Sequence, residues 1–213
     1  MLVEDPTQPV FTWYDDVTGE RIELSGATLE NWVAKTANLL VDGLGLGPGD
    51  RAAVLLPPHW QTAAVLLGCR AAGLAVDTGA GAVDVVFAAA DRVDEARVRV
   101  AGDRFVLGLA PMALPMRSVP EGFADFVLEV RGYGDRFAGP PAPPVDDGAQ
   151  ERAAALGIRK GDRVLIDAAV HPDPLDWLFT PLAAGATVVL CGHLDRAKLP
   201  SRVSAERVTA ELV

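Results

Sequence analysis

The chain has 213 residues, of which half are hydrophobic and 23% are charged, and this composition is typical of a folded globular protein. Its formal net charge of −10 opposes binding to polyanions, so neither nucleic acid nor an anionic membrane surface is an expected partner. The apolar stretch 62–76 is interrupted by Arg70 and is shorter than the roughly 20 residues that cross a bilayer. Because the N-terminus also lacks the pattern of a signal peptide, we expect a cytoplasmic protein.

The first elements are a β-hairpin and an amphipathic helix. Two β-rich runs, 11–14 and 20–24, flank a turn-forming segment that ends in Gly19, which predicts an antiparallel hairpin. Ser25 is placed to cap a helix, and Gly43 and Gly45 are placed to end it. The apolar positions of that helix recur at spacings of three and four residues; they are Leu29, Trp32, Val33, Thr36, Leu39 and Leu40.

A strand-helix-strand unit follows. Residues 51–56 form a continuous apolar run, which is typical of a parallel strand covered on both faces. The segment 60–72 is apolar almost all round and predicts a buried helix, and Gly73 separates it from a second extended run at 74–76. This order predicts a right-handed βαβ unit.

The middle of the chain continues the alternation less clearly. Strands are predicted at 83–87 and 105–109, with a short polar helix from Asp91 between them, then a loop at 110–117 and a helix at 121–130. Residues 138–148 contain four prolines and predict a stiff, extended connector. We therefore expect one α/β domain over 1–213, with two sub-lobes, 1–137 and 149–213, as the alternative division.

Beyond the connector the pattern resumes. Helices are predicted at 149–156 and 175–184, strands at 163–168 and 187–191, and a last short helix and strand within 199–213. The predicted fold class is α/β, a mainly parallel sheet with flanking helices, two pseudo-repeated βαβ units and an N-terminal β-hairpin.

An internal repeat relates the two βαβ units. At an offset of 112 residues, the triplet Gly-Asp-Arg at 49–51 aligns with the same triplet at 161–163, and Ala-Ala-Gly at 71–73 aligns with 183–185. His59 aligns with His171. The main interpretation of the triplet is structural, because glycine permits the turn, aspartate binds backbone amides, and the glycine run of a phosphate-binding loop is absent from it.

The hairpin, the run Leu-Gly-Pro-Gly-Asp-Arg-Ala-Ala-Val-Leu-Leu-Pro at 46–57 and Arg-Ala-Ala-Gly at 70–73 resemble the opening of the adenylate-forming enzymes. These are the acyl-CoA synthetases and the adenylation domains of peptide synthetases. The second repeat, with His171 and the run Leu-Ala-Ala-Gly-Ala-Thr-Val-Val-Leu at 182–190, is similar to that family's second subdomain. The resemblance covers roughly residues 10–77 and 149–191, which corresponds to an N-terminal portion of these enzymes.

One departure from the family pattern bears on activity. The family carries a Thr/Ser/Gly-rich loop ending in Pro-Lys-Gly before the helix predicted at 149, and this loop wraps the phosphates of ATP. The proline connector takes its place here, and prolines lack the N–H groups that such a loop uses. The family's later motifs for adenine, ribose and the catalytic lysine are also not found, so we expect that this chain alone does not adenylate a substrate.

The resemblance makes His171 a candidate residue of an acyl pocket, with Asp173 and Trp177 as weaker candidates; a hydrogen-bonded structural histidine is the alternative. No residue is proposed as catalytic, and no cofactor is predicted. Cys191 and His193 form a Cys-x-His pair, but a zinc site needs three or four ligands, so no metal site is predicted.

Three functions remain open from the sequence. The first is a non-catalytic relative that binds an acyl or nucleotide-like ligand or a protein partner. The second is a structural interaction module that forms a homodimer through an apolar face. The third is an enzyme, either one chain of a split acyl-activating ligase that a partner completes or a catalyst of a different reaction at the same sheet edge.

Overall fold

The computed structural model describes residues 5–77, 81–139 and 147–213. The chain divides into two compact units, each built on its own five-stranded sheet. Unit one comprises Met1–Leu29, Pro58–Trp60 and Pro144–Val213, and unit two comprises Glu30–Pro57 and Gln61–Pro143. Most of the predicted proline connector, residues 140–146, lies outside the described residues.

Unit one begins with the hairpin and contains the second repeat. Its strands are β1 (Pro9–Asp15), β2 (Glu20–Ser25), β8 (Arg163–Asp167), β9 (Thr187–Gly192) and β10 (Ala210–Leu212). Its helices are α5 (Asp147–Leu156), a π-helical turn (Leu175–Phe179) that runs into α6 (Thr180–Ala183), a 3-10 turn (Arg196–Lys198) and α7 (Leu199–Glu206). The sheet order is β10-β8-β9-β1-β2, and only the β1–β2 pair is antiparallel among the described strands of this sheet.

Helix α1 (Gly26–Asn38) follows the hairpin. The Ser25 hydroxyl accepts a hydrogen bond from the backbone N–H of Thr28 at 3.2 Å, which confirms the predicted cap. A π-helical turn (Leu39–Gly43) extends the helix before the chain turns at Gly45. The predicted hairpin is also confirmed, with Trp13 opposite Ile22 in the register.

Unit two contains the first repeat and an all-parallel sheet. Its strands are β3 (Arg51–Leu55), β4 (Ala75–Asp77), β5 (Val83–Ala89), β6 (Ala101–Leu107) and β7 (Ala124–Asp125). Its remaining helices are α2 (Trp60–Ala71), a 3-10 turn (Ala90–Arg92) before α3 (Val93–Arg97), a 3-10 turn (Pro111–Ala113) and α4 (Phe126–Val130). The sheet order is β4-β3-β5-β6-β7.

The helix predicted at 121–130 is shorter in the structure. Residues 124–125 pair with β6 as strand β7, and helix α4 begins only at Phe126. The Asp125 carboxylate accepts the backbone N–H groups of Val127 and Leu128 at 2.8 and 3.2 Å. This cap fixes the start of the helix, and the apolar residues of 121–130 did not indicate that position.

The sequence repeat is also a structural repeat. Strand β3 spans 51–55 and strand β8 spans 163–167, which differ by the same 112 residues as the sequence alignment. Asp50 accepts the backbone N–H of Gly47 at 2.8 Å, and Asp162 accepts that of Arg159, the corresponding position, at 2.7 Å. The Gly-Asp-Arg triplet is therefore a turn that enters a strand, as the structural interpretation predicted.

Each unit buries its own apolar core. In unit two, β3, β5 and α3 contribute a cluster that includes Leu55, Val86 and Ala96. In unit one, Leu165, Val189 and Cys191 pack under α7, whose Val203 lies against them. Within the described ranges, no helix combines the length and the apolar character needed to cross a membrane.

Candidate functional site

The candidate site lies in unit one, where three parallel strands end together. Asp167 of β8 pairs with Cys191 of β9, and Gly192 of β9 pairs with Asp15 of β1. The segments that leave these strands carry His171 and His193. Open α/β sheets commonly bind ligands at the carboxyl ends of their strands, so this edge is the candidate binding site.

The side chain of His171 is held in place by Asp176, which is itself paired with Arg152. Its Nδ1 lies 3.1 Å from Oδ2 of Asp176, and its backbone N–H donates to the carbonyl of Asp167 at 3.0 Å. Arg152 of α5 donates two hydrogen bonds to Asp176, at 2.7 and 2.9 Å, and these bonds lower the pKa of the Asp176 carboxyl. The His171 side chain is 17% exposed. This arrangement fixes the imidazole and leaves Nε2 as the ring nitrogen that can meet a ligand.

Asp173 and Trp177, the other two predicted site residues, have other roles. Asp173 is exposed, and its carboxylate accepts the backbone N–H of Leu175 at 2.8 Å while its carbonyl accepts that of Asp176. Trp177 is fully buried, and its indole ring meets Phe11 edge-on at 6.1 Å. Asp173 therefore begins the π-helical turn, and Trp177 belongs to the core of unit one.

Asp176, the partner of His171, and Arg152, the partner of Asp176, were not singled out from the sequence. Asp176 follows His171 by five residues, and Arg152 lies on a helix whose charged residues have no distinctive spacing. The only signal in the sequence was the charge itself. The pairing depends on α5 packing against the π-helical turn, which is a tertiary contact.

His59, which aligns with His171 in the repeat, has a different environment. It is 3% exposed, and its ring lies 4.8 Å from the indole ring of Trp13. Burial lowers the pKa of His59 to about 3, so its imidazole stays neutral at ordinary pH. His59 is a core residue of unit one.

Cys191 and His193 are adjacent in sequence but have separate partners. Cys191 is buried, and burial raises the pKa of its thiol to about 11 although the Arg202 guanidinium lies 3.5 Å from Sγ. His193 is exposed, and its Nδ1 lies 3.1 Å from Oδ1 of Asp15. Among the residues that the structure describes, no three His, Cys, Asp or Glu side chains are placed to hold a metal ion.

A buried ionic network beneath this edge was not predicted. Glu206 of α7 accepts hydrogen bonds from Tyr14 at 2.6 Å and from Arg21 at 2.8 Å, and it also pairs with Arg163. Burial raises the pKa of Glu206, but the hydrogen bonds from Tyr14, Arg163 and Arg21 outweigh it and lower the value to about 2. The network joins α7 to β1, β2 and β8 of the sheet, so its role is to fix the scaffold.

Comparison with known proteins places these features in a family. The family described as AMP-binding enzyme matches residues 3–79, which include the hairpin and the first repeat. A TIGR03089 family protein of Mycobacterium tuberculosis is 43% identical over 229 residues, which cover 100% of this chain and 94% of that protein. The mitochondrial acyl-coenzyme A synthetase ACSM2 of Rattus norvegicus is 34% identical over 99 residues, which are 44% of this chain and 17% of the rat enzyme.

The solved structures agree on the fold. The acyl-CoA synthetase of Brucella canis has a TM-score of 0.75 with this chain at 18% identity, and the match covers 98% of this chain. A fatty acyl-CoA synthetase of Mycobacterium tuberculosis has a TM-score of 0.65 at 17% identity, over 95% of this chain. The chain spans less than half of these synthetases, 45% and 46% of their lengths. The chain belongs to the TIGR03089 family together with the mycobacterial protein, its residues 3–79 match the AMP-binding enzyme family, and its fold is that of an N-terminal portion of the acyl-CoA synthetases.

Proposed function

We propose that this chain is a non-catalytic relative of the acyl-CoA synthetase N-terminal domain, and that it binds an acyl or nucleotide-like ligand at the carboxyl edge of the unit-one sheet. The observation that carries the proposal is the engagement of Arg152 by Asp176. Arg152 lies on α5, the helix that follows the phosphate loop in the family pattern, and its guanidinium donates both of its hydrogen bonds to Asp176. That pair orients His171 and leaves no net positive charge for a triphosphate.

The sequence before α5 supports the loss of adenylation. Residues 138–148 contain no Lys, Ser or Thr, and the stretch ends with Asp146, Asp147 and Gly148. A triphosphate needs backbone N–H groups and a cation, and this segment supplies prolines and carboxylates instead. Binding without transfer of AMP is the activity that remains compatible with the retained scaffold.

The position of His171 supports ligand binding. The imidazole lies at the end of β8, is partly exposed, and has one ring nitrogen engaged with Asp176. Because the Asp176 carboxylate can only accept, Nδ1 donates to it, and the Nε2 lone pair can accept one hydrogen bond from an amide N–H or a ribose hydroxyl.

A second candidate is one chain of a split acyl-activating ligase that a partner completes. It is favoured by the presence of both repeats in the same fold as the Brucella synthetase, of whose length the match covers 45%. A homodimer through an apolar face stays a further prediction; exposed apolar side chains such as Val98, Val100 and Met112 occur in unit two.

Calorimetric titration of the chain with ATP, AMP, CoA and a medium-chain fatty acid tests the proposal. We expect heat of binding from at least one of these ligands and a loss of affinity of about tenfold in His171→Ala, because one hydrogen bond to a buried ligand group contributes about 1.4 kcal/mol. His193→Ala is the matched control, since His193 lies at the same edge and is also paired with an aspartate.

Pyrophosphate exchange with the same fatty acid separates the two candidates. The non-catalytic proposal predicts no acid-dependent exchange by the chain alone. Exchange above the blank by the purified chain would contradict it. Exchange that appears only after a second protein is added would favour the split ligase.

A further inference from the structure

A small surface cavity in unit two is separate from the edge described above. It has a volume of about 240 Å³ and lies where the end of α3, strand β6 and the segment before β7 meet. Its lining residues are Arg97, Arg104, Glu121, Gly122 and Phe123. Two guanidinium groups and one carboxylate give this cavity an excess of positive charge, in a chain whose net charge is −10.

Arg104 lines this cavity with a guanidinium group that is held in place. Its Nη2 donates to the backbone carbonyl of Arg99 at 2.8 Å, which holds the guanidinium in one orientation. Its Nε–H is buried and has no hydrogen-bond partner within the described residues. The Arg104 side chain therefore has a fixed position at the cavity wall, and its positive charge has no carboxylate partner among the described residues.

Arg97 supplies a second cation that is not engaged. It is the last residue of α3 and is exposed, and within the described part of the chain it forms no ion pair or side-chain hydrogen bond. Arg92, in the preceding turn, is instead paired with Glu95 at 2.7 Å. The cation at the cavity is thus available, whereas its neighbour on the same segment is neutralised.

Phe123 adds an apolar wall. It is partly exposed, and it packs against the core cluster of β3, β5 and α3, which fixes its position. The cavity volume is below the roughly 300–1,000 Å³ of sites for drug-sized ligands, so a molecule as large as CoA does not fit inside it.

We propose that this cavity binds a small anion, one carboxylate or phosphate group attached to a short apolar part. Arg97 and Arg104 contact the anionic group, because guanidinium groups pair with carboxylate and phosphate through charge-assisted hydrogen bonds. Phe123 contacts the apolar part. Glu121 opposes a second negative charge, which favours singly charged ligands over multiply charged ones.

The test is a titration of the full chain, at constant low ionic strength, with benzoate, inorganic phosphate and neutral benzamide. Binding is followed through the Nε–Hε resonance of Arg104 and the ring protons of Phe123 in NMR spectra. We expect benzoate or phosphate to shift the Arg104 resonance in a saturable way, and benzamide to have no comparable effect. A shift with benzoate indicates a carboxylate ligand, and a shift with phosphate alone indicates a phosphate ligand.

Three variants make the test specific. Arg97→Ala should weaken anion binding at least tenfold, while Arg92→Ala, the matched control in the neighbouring turn, should bind as the wild type does. Glu121→Gln should strengthen binding several-fold, because it removes the opposing carboxylate. Arg97, Arg92 and Glu121 are at the surface or half-buried, so these variants are expected to fold, and circular dichroism checks this.

Several results would overturn the proposal. They are the absence of a saturable shift with both anions, equal binding of benzamide and benzoate, and equal weakening by Arg97→Ala and Arg92→Ala. The first would show that the cavity binds neither probe, and the other two would show that the charge of Arg97 is not recognised.

Discussion

The two βαβ repeats, residues 49–77 and 161–192, form the same turn but place its arginine in different environments. In both repeats the backbone carbonyl of the aspartate accepts a hydrogen bond from the second strand of the repeat: the N–H of Ala75 donates to Asp50 at 2.9 Å, and that of Thr187 donates to Asp162 at 2.8 Å. Arg51 is 54% exposed and pairs with Asp77, whereas Arg163 is 16% exposed and contacts Glu206 and Thr12. The arginine of the same triplet is thus mostly solvated in one repeat and mostly buried in the other.

The histidines of the repeat differ in the opposite sense. His59, from the first repeat, is buried against Trp13, and His171, from the second repeat, is partly exposed and paired with Asp176. Equivalence in the repeat therefore conserves backbone geometry and leaves the side chain's role to its neighbours. Pairs of matched substitutions can test this comparison directly.

The arginine pair should show the largest difference. Arg163→Ala leaves the buried Glu206 with fewer partners and should reduce the free energy of unfolding by about 3 kcal/mol, since breaking a buried ion pair is costly. Arg51→Ala removes a guanidinium that is 54% exposed from its pair with Asp77, which is 7% exposed, and should cost about 1 kcal/mol. Urea unfolding of both variants measures the difference.

The double variant Arg163→Ala with Glu206→Gln provides the control for this pair. It should recover part of the loss, because the uncompensated charge is removed together with its partner. Equal losses of unfolding free energy in Arg51→Ala and Arg163→Ala would contradict the distinction between the two repeats.

Substitutions of the two histidines should differ less in their loss of unfolding free energy than those of the two arginines. His59 should also make the stability depend on pH. His59→Ala removes a buried ring and should cost about 2 kcal/mol, and His171→Ala should cost about 1 kcal/mol or less. The pKa of His59 is lowered to about 3 in the folded state, against about 6.5 when unfolded. Below pH 6.5 the unfolded state therefore takes up a proton at His59 that the folded state does not. The free energy of unfolding consequently decreases as the pH falls from 6.5 towards 3.

NMR measurement of the His59 ring protons checks the pH dependence. They should not shift between pH 8 and pH 5, and His59→Phe should unfold with a weaker dependence on pH in this range than the wild type. A His59 titration midpoint near 6.5 would show that the ring is not buried as described.

The glycine pair should give the smallest difference. Gly73 and Gly185 both have positive φ, +82° and +73°, so an alanine at either position should cost about 1–2 kcal/mol. A Cβ at Gly73 would lie 2.9 Å from the rigid ring of Pro48, whereas one at Gly185 would lie 3.3 Å from the flexible side chain of Lys160. We expect Gly73→Ala to be the more destabilising, by less than about 1 kcal/mol, in thermal unfolding. A larger effect at Gly185 would contradict this account.

Much of the fold was predictable because its signals are local. The hairpin, the Ser25 cap and both βαβ units follow from runs of apolar residues bounded by glycine and proline, and the structure confirms them. The start of α4 was not predicted, because the Asp125 cap and the pairing of β7 with β6 decide it. The ionic network of Glu206 was also missed, since Glu206 is 43 to 192 residues from its partners in sequence.

The candidate site was predictable only in part. His171 was found through its place in the repeat and in the family pattern, and the structure gives it the partners Asp176 and Arg152. Trp177, adjacent to a partner of His171, is a core residue instead. Sequence proximity could not separate these roles, because successive residues of a helical turn point in different directions.

The sequence by itself determined the order of strands and helices, the duplicated entry turn and the family, because apolar periodicity, glycine positions and motif order are properties of short segments. Only the tertiary structure decided which sheet each repeat joined, which member of each pair was buried and which charges met. Burial and charge pairing depend on groups that distant parts of the chain bring together, as Glu206 and Arg163 show. The same Gly-Asp-Arg triplet could therefore be identified as a turn from sequence, but its two arginines could be told apart only in the folded protein.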